Sequence, residues 1–400
     1  MKKIIFLLVL IVLIQGNKSQ AQFKIVGYIP NWIPLKTFSD NFDYTRVTHL
    51  NLAFKDPDAS GNLPMLSASE VYLISAAHSH GVKVLLSLCG GSSSTNASKQ
   101  AIYFNLISSA NVSGFASKLR LYTDTNNLDG LDLDLEGAAI NSDYGKFVQV
   151  LADSLHPIGK VLSAALSSGY GGANVPTSTF SYFDWINIMA YDACGPTWGN
   201  PGQHSSYQFA DDALIYWKGR GLSKSKAILG VPFYGYGFGA SFSTSAYPFS
   251  SIAASYPADV YSDETANTIY YNGIATIIQK TQLAKTSGGG IMIWDLSLDA
   301  TGANSLLGHI RFTAGSAVTA TIESIDNKAL SVFPNPSNGI VTLQGIDLLQ
   351  TKVEIYNTLG EKIDLTLNGY SIDLSGKPKG IYYLHVTKEN TITLRKIILQ

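Results

Sequence analysis

The chain has 400 residues, with 28 Lys or Arg against 29 Asp or Glu and a formal net charge of -1. That balance excludes the basic footprint of a nucleic-acid binder and the polybasic face that holds a protein to an anionic membrane. Only 14% of residues are charged, while tyrosine numbers 22 and glycine 36, a composition suited to a secreted protein that meets a neutral polymer.

The length predicts two or three domains. Residues 1–21 read as an export signal: Lys2 and Lys3 give a positive start, an unbroken apolar run covers 4–14, and Ser19-Gln20-Ala21 offers a small-residue cleavage site. The alternative is a membrane anchor, for which the run is short. No later stretch is long and apolar enough to span, so no membrane span is expected in the mature form. The two cysteines, Cys89 and Cys194, sit at or just after different predicted strands. A bridge would need their Cα atoms within about 7 Å, and two free, mostly buried thiols are expected.

Apolar, β-branched-rich runs follow at 24–29, 47–54, 82–89, 130–135, 161–166, 185–190, 227–231 and 290–294. Segments of helical period lie between most of them, at 67–80, 115–123, 143–155, 209–218 and 274–285. Ser67-Ala68-Ser69-Glu70 opens the first of these with a capping-box pattern. Near-continuous apolar strands joined by helices imply a parallel sheet buried on both faces. Eight such units predict an α/β chain built on a (β/α)8 TIM barrel over residues 22–312, with its site at the C-terminal ends of the strands. The alternative is an open doubly wound sheet, but no Gly-x-Gly-x-x-Gly turn follows the first run.

The fourth run carries the chemistry. In Leu128-Asp-Gly-Leu-Asp-Leu-Asp-Leu-Glu-Gly137, strand alternation places Asp132, Asp134 and Glu136 on one face and Leu131, Leu133 and Leu135 on the other. Carboxylates this close raise one another's pKa, so at least one should hold a proton near neutral pH. A protonated carboxyl beside an ionised one is the equipment of glycoside hydrolysis. A hard-cation site and a solvated polar edge are the other readings of the same spacing.

The stretch resembles the Asp-Gly-x-Asp-x-Asp-x-Glu signature of glycoside hydrolase family 18, the chitinases and endo-β-N-acetylglucosaminidases, with Asp129, Gly130, Asp132, Asp134 and Glu136 at its fixed positions. The likeness covers roughly residues 23–312. It includes Gly27-Tyr28 with Pro30-Asn31-Trp32, Ser87-Leu88-Cys89-Gly90-Gly91, Met189-Ala190-Tyr191-Asp192, the run from Leu229 to Gly235, and Gly289 to Trp294. Two departures stand out. Cys89 occupies the place of the first glycine in the family's Ser-x-Gly-Gly, and Leu135-Glu136-Gly137 replaces the common Trp-Glu-Tyr-Pro, which removes an aromatic at 137. A large α+β insertion hardly fits between the seventh and eighth runs, so a shallow, open groove is expected.

The resemblance implies a retaining glycosidase without metal or cofactor, in which the substrate's own 2-acetamido group is the nucleophile. Glu136 would be the acid and then the base, Asp134 would orient the acetamido N–H, and Asp132 would share a proton with Asp134. Tyr28 and Ser87 would hydrogen-bond Asp132. Tyr191 would hydrogen-bond the acetamido carbonyl, beside Met189 and Asp192, with Trp294 as the apolar floor. The implied partner is a polysaccharide or oligosaccharide containing N-acetylglucosamine: chitin, or the core of N-glycans. A non-catalytic sugar-binding protein or an adhesin on the same barrel are the alternatives, and relatives of the first kind typically lack the terminal acid.

Small polar residues at 313–326 read as a linker. Residues 327–400 change to short alternating runs at 330–333, 340–343, 353–356, 381–386 and 393–399, separated by turn signals such as Asn338-Gly339, Leu359-Gly360 and Asn368-Gly369. This predicts a small all-β sandwich. It resembles the C-terminal sorting domain of type IX secretion cargo through Phe333-Pro334-Asn335-Pro336, the run from Ile355 to Gly360, Gly380 to Leu384, and Leu394 to Ile397. A carbohydrate-binding module is the alternative, although the segment has no Trp. The resemblance implies a secreted or cell-surface monomer exported through the periplasm and handled by the type IX machinery.

Overall fold

The computed structural model describes residues 23–265, 268–315, 330–344, 348, 351–357, 362–388 and 391–400. These fall into two units, the first ending at Gly315. The expected export signal, the linker beyond Gly315 and the turn at Leu359-Gly360 lie outside the described residues.

The first unit is a closed parallel barrel. Its strands are β1 (Lys24–Pro30), β2 (His49–Lys55), β3 (Lys83–Cys89), β4 (Gly130–Asp134), β5 (Val161–Leu166), β6 (Trp185–Ile188), β7 (Ala227–Pro232) and β12 (Gly290–Trp294). They pair in the order β1-β12-β7-β6-β5-β4-β3-β2. Each corresponds to one predicted run. Helices α1 (Leu35–Asn41), α2 (Ala68–Ser79), α3 (Ser92–Thr95), α4 (Ala97–Ile107), α5 (Val112–Thr125), α6 (Tyr144–Leu155), α7 (Tyr207–Gly219), α9 (Ile274–Ser287) and α10 (Leu306–Gly315) come from the connections. The strands are apolar on both faces because the helices cover the outside. On β4 the split is plain. Leu131, Leu133 and Leu135 join the outer core with Phe115, Leu119, Phe147 and Leu151, which leaves Asp132 and Asp134 inside.

The capping box at the start of α2 is present. Glu70 N–H donates to Ser67 Oγ (3.3 Å) and Ser67 N–H to Glu70 Oε2 (2.6 Å). Glu70 is also buried against Lys55 at 3.0 Å and accepts from Asn31 Nδ2 at 3.3 Å. One carboxylate thus caps a helix and ties it to the mouth ends of β1 and β2.

Between β7 and β12 the chain builds β8 (Tyr234–Gly237), β9 (Tyr247–Pro248), α8 (Phe249–Ser255), β10 (Glu264–Thr265) and β11 (Ile269–Tyr270). The four strands form a small sheet in the order β10-β11-β8-β9. The span is too short for a large insertion, yet the alternating Tyr234-Gly-Tyr-Gly run is enough to start a compact one, whose Tyr234, Tyr236 and Phe238 share a cluster with Trp294.

A fully buried lysine anchors the loop after β6. Lys280 on α9 donates to Ser205 O (2.6 Å), Ser205 Oγ (2.7 Å) and Asn272 Oδ1 (2.7 Å). Three acceptors match the three donors of an ammonium, while desolvation pushes its pKa down to about 7. Ser205 Oγ in turn donates to Ala190 O at 2.6 Å, the peptide just before Tyr191.

The second unit is the predicted sandwich. One sheet runs β13 (Ser331–Phe333), β14 (Ile340–Gln344), β18 (Ser371–Asp373) and β17 (Thr366–Asn368). The other runs β16 (Lys362–Ile363), β15 (Thr351–Asn357), β19 (Gly380–Lys388) and β20 (Thr391–Leu399). Inward residues of both sheets, Val341, Leu343 and Ile372 from one and Ile355, Leu384 and Ile397 from the other, make its core. Asn335, held between two prolines, accepts from Ile398 N–H at 2.8 Å and donates to Lys396 O at 2.5 Å, which explains an asparagine in that run.

Lys280→Met should remove the donors for Asn272 Oδ1 and Ser205 Oγ and lower the unfolding free energy by about 2–4 kcal/mol, read as a lower urea midpoint. An unchanged midpoint would show that the clamp contributes nothing.

Candidate active site

The predicted residues converge at the C-terminal mouth of the barrel, where this fold places its sites. Asp132 is fully buried, and strand register decides its partners. Ser87 on β3 and Ser163 on β5 are its direct neighbours across the sheet. Ser87 Oγ and Tyr28 Oη donate to Asp132 Oδ2 at 2.7 and 2.6 Å. Ser163 Oγ and Asn187 Nδ2 donate to Oδ1 at 2.6 and 3.1 Å. The cage is itself braced, since Trp185 Nε1 donates to Asn187 Oδ1 at 3.2 Å. Burial pushes the Asp132 pKa up while the four donors pull it down, so its proton affinity is a contest between desolvation and hydrogen bonding.

Asp134 lies one step up the same face and has no such cage. It is 4% exposed, and its buried Oδ1 has no hydrogen-bond partner. Burial first, then the charges of Glu136 and Asp132, hold its pKa well above the usual carboxylate range. The hydrogen bonds to Asp132 come from neutral groups of four other strands, not from Asp134. An orphaned buried polar atom is costly.

Glu136 follows the end of β4. Its N–H donates to the buried Ser93 Oγ on α3 at 2.9 Å. A Cβ on Gly91 would stand 3.3 Å from Glu136 Oε1, so glycine there leaves the acid its room. Burial, then the charge of Asp192, pushes the Glu136 pKa up to about 7. An acid tuned there is protonated enough to donate and basic enough to accept near neutrality.

The opposite wall comes from β6 and the small sheet. Asp192 (φ +61°) accepts from Tyr234 Oη at 2.6 Å and Tyr236 Oη at 3.1 Å. The buried His204 lies 3.3 Å from the same Asp192 oxygen. Tyr191 packs in one cluster with Tyr28, Met189, Phe54 and Trp294, and its hydroxyl lies 3.9 Å from Met292 Sδ. Trp294 meets Tyr28 edge-on at 5.6 Å and stacks on Phe54 at 5.5 Å. Phe54 continues to Trp32 at 6.2 Å, whose ring is 65% exposed. All nine predicted site residues therefore meet at one mouth.

Cys89 adopts φ +83° with Gly90 following at +77°, so the backbone there keeps the left-handed path that suits glycine. Its thiol is buried, its pKa driven up by desolvation. Both cysteines are free and buried, as expected. Sequence reasoning missed Ser163, Asn187, Ser93, His204, Tyr234 and Tyr236. The signal for the first two was present: each is a polar residue at an inward position of an otherwise apolar strand.

Residues 24–299 match the family described as Glycosyl hydrolases family 18. Residues 331–400 match the Secretion system C-terminal sorting domain. A chitinase from the chitin utilization locus of Flavobacterium johnsoniae has a similar structure, with TM-score 0.66 and 34% identity over 74% of this chain and 94% of that one. A class V chitinase of Arabidopsis thaliana is 26% identical over 74% of this chain and 92% of its own length. Probable chitinase 10 of Drosophila melanogaster is 28% identical over 41% of this chain, which spans 8% of that protein. The barrel and its acidic row define a glycosidase. The chain belongs to family 18 of the glycosyl hydrolases and carries a secretion sorting domain at its C-terminal end.

The buried acid should show in stability. The raised folded pKa of Glu136 means that its contribution is fully present below its ordinary value of 4.5 and is lost as pH rises through about 7. Glu136→Gln should therefore be more stable than the wild type at pH 8, by on the order of 3 kcal/mol, and equal to it at pH 4. Equal melting at both pH values would show that Glu136 is not strained by burial.

Proposed function

We propose that the enzyme is a secreted, chitinase-like glycosidase that cleaves β-1,4 bonds between N-acetylglucosamine residues with retention. The observation that carries this is the pair of raised carboxyls, Glu136 near 7 and a buried Asp134 whose Oδ1 lacks a partner. An acetamido N–H is a donor suited to that orphaned oxygen.

In the first step Glu136 gives its proton to the glycosidic oxygen as the bond from C1 to that oxygen breaks. The substrate's acetamido carbonyl oxygen closes on C1 and forms an oxazolinium ring. Asp134 accepts from the acetamido N–H, and as the ring becomes cationic the neighbouring carboxyl charge stabilises it. Tyr191 Oη supplies a hydrogen bond to the acetamido oxygen, and Trp294 is the apolar floor under the sugar. In the second step the Glu136 carboxylate takes a proton from water as the water's oxygen attacks C1, reopening the ring with the original configuration. Asp132 does not touch the sugar; its cage fixes the strand that presents the other two acids. This substrate-assisted route is an exception to the use of a second protein carboxylate as nucleophile.

Glu136→Gln keeps the shape and loses the proton, so turnover of N-acetylglucosamine oligomers should fall by at least about a hundredfold while oligomer binding persists. The wild-type rate should also fall as pH rises above about 7, where Glu136 loses its proton. A plain β-1,4-glucan, which has no acetamido group, should not be cleaved, and a thiazoline analogue should inhibit. Undiminished turnover by Glu136→Gln, or glucan cleavage at a comparable rate, would overturn the mechanism.

The sandwich acts as an address for type IX export. The route runs through the periplasm and ends with the enzyme outside the cell, the sandwich removed. Each unit has its own core, so deletion of residues 327–400 in a type IX-competent host should leave active enzyme in the periplasm. Appearance of the truncated enzyme in the medium would show that the sandwich is not the export signal.

A further inference from the structure

The residue after the acid is where the family's aromatic is missing. Gly137 has φ +52°, and a Cβ built there would lie 2.4 Å from Cζ of Tyr170 and 2.7 Å from its hydroxyl. Gly171 (φ +78°) presses the same loop onto Gly137, since a Cβ on it would come within 2.7 Å of Gly137 N. Two glycines thus let the loop after β5 lie directly on the residue beside Glu136, and the Tyr170 ring fills the space that a side chain at 137 would take. The ring is nonetheless 52% exposed. Tyr170 N–H donates to Ser167 Oγ at 3.2 Å, which orders the turn. Among the described residues its hydroxyl has no hydrogen-bond partner. A half-exposed aromatic ring held in place by backbone packing is built to meet something from solvent.

The barrel order decides which part of a substrate it meets. Tyr170 follows β5, four strands round from β1. Tyr28, Trp294, Phe54 and Trp32 occupy the β1, β2 and β12 side. Glu136 stands between, just past the end of β4, the strand next to β5. If a sugar's acetamido group is held by Asp134 over Trp294, as proposed above, its scissile oxygen meets Glu136 and its leaving half extends toward Tyr170.

We propose that Tyr170 is a substrate-contact residue of this glycosidase. It stacks on the sugar of the leaving group, supplying from the β5 loop the aromatic surface absent at position 137. The inference rests on the reading of the enzyme as an N-acetylglucosaminide hydrolase. It makes the preference for a sugar on the leaving side a property of this loop.

The test compares the full-length wild type, Tyr170→Ala and Tyr170→Phe on two substrates. One is chitotetraose, which has sugars on both sides of the cleaved bond. The other is the oxazoline of N,N'-diacetylchitobiose, which has none on the leaving side. Tyr170→Ala should raise the ratio of the tetraose KM to the oxazoline KM about fivefold to tenfold, the size of one aromatic contact, with kcat on the tetraose within about twofold. Tyr170→Phe, which keeps the ring, should hold the wild-type ratio. An unchanged ratio in Tyr170→Ala, or an equal loss on both substrates, would overturn the inference. A wild type that cleaves neither substrate would instead refute the proposed function, and the inference with it.

Discussion

One buried carboxylate organises the barrel mouth. Asp132 sits at the centre of a hydrophobic barrel, where an ionised group is expensive unless every lone pair is met. Donors from β1, β3, β5 and β6 meet it. That arrangement cross-links five of the eight strands through one side chain and fixes where β4 emerges. It also consumes the nearby donors. Asp134, two residues on, is left buried without equivalents, and Glu136, two further, stands under the charge of Asp192. Burial raises the proton affinity of all three carboxyls, and the graded supply of hydrogen bonds along one strand face offsets it only at Asp132.

The aromatic surroundings follow from the same geometry. Once β4 is fixed, the neighbouring strand ends supply Tyr28, Phe54, Tyr191 and Trp294 as a wall, and the small sheet supplies Tyr234 and Tyr236 to hold Asp192. The α3 turn backs Glu136 through Ser93, and the Lys280 clamp secures the far loop from behind. Four of the chain's 22 tyrosines, Tyr28, Tyr191, Tyr234 and Tyr236, thus contribute to a wall that is apolar in its rings and polar at its tips.

Most of the architecture was legible in the sequence because its signals are local. The barrel strands other than β4 are near-continuous apolar runs, and the acidic row on β4 is a period-2 pattern within ten residues. What escaped was what register and close approach create. Ser163 and Asn187 are ordinary residues until the closed sheet places them against Asp132. The strands between Tyr234 and Tyr270 are two to four residues long, below the length at which periodicity speaks. Helix α3 is a single turn of serines and threonine, with no apolar stripe to reveal it. Cys89 shows the converse: the sequence marked a glycine position filled by another residue, and the backbone keeps φ +83° regardless. In the sandwich, turn residues announced the long strands, while three short ones carried no pattern.

The central claim is that Asp134 and Glu136 retain a proton between them at neutral pH. Carboxyl carbons labelled in Asp and Glu can be followed by NMR across a pH titration, with Glu136→Gln and Asp134→Asn assigning the signals. One proton should persist in the pair up to about pH 7. Complete ionisation of both groups by pH 5 would contradict the account.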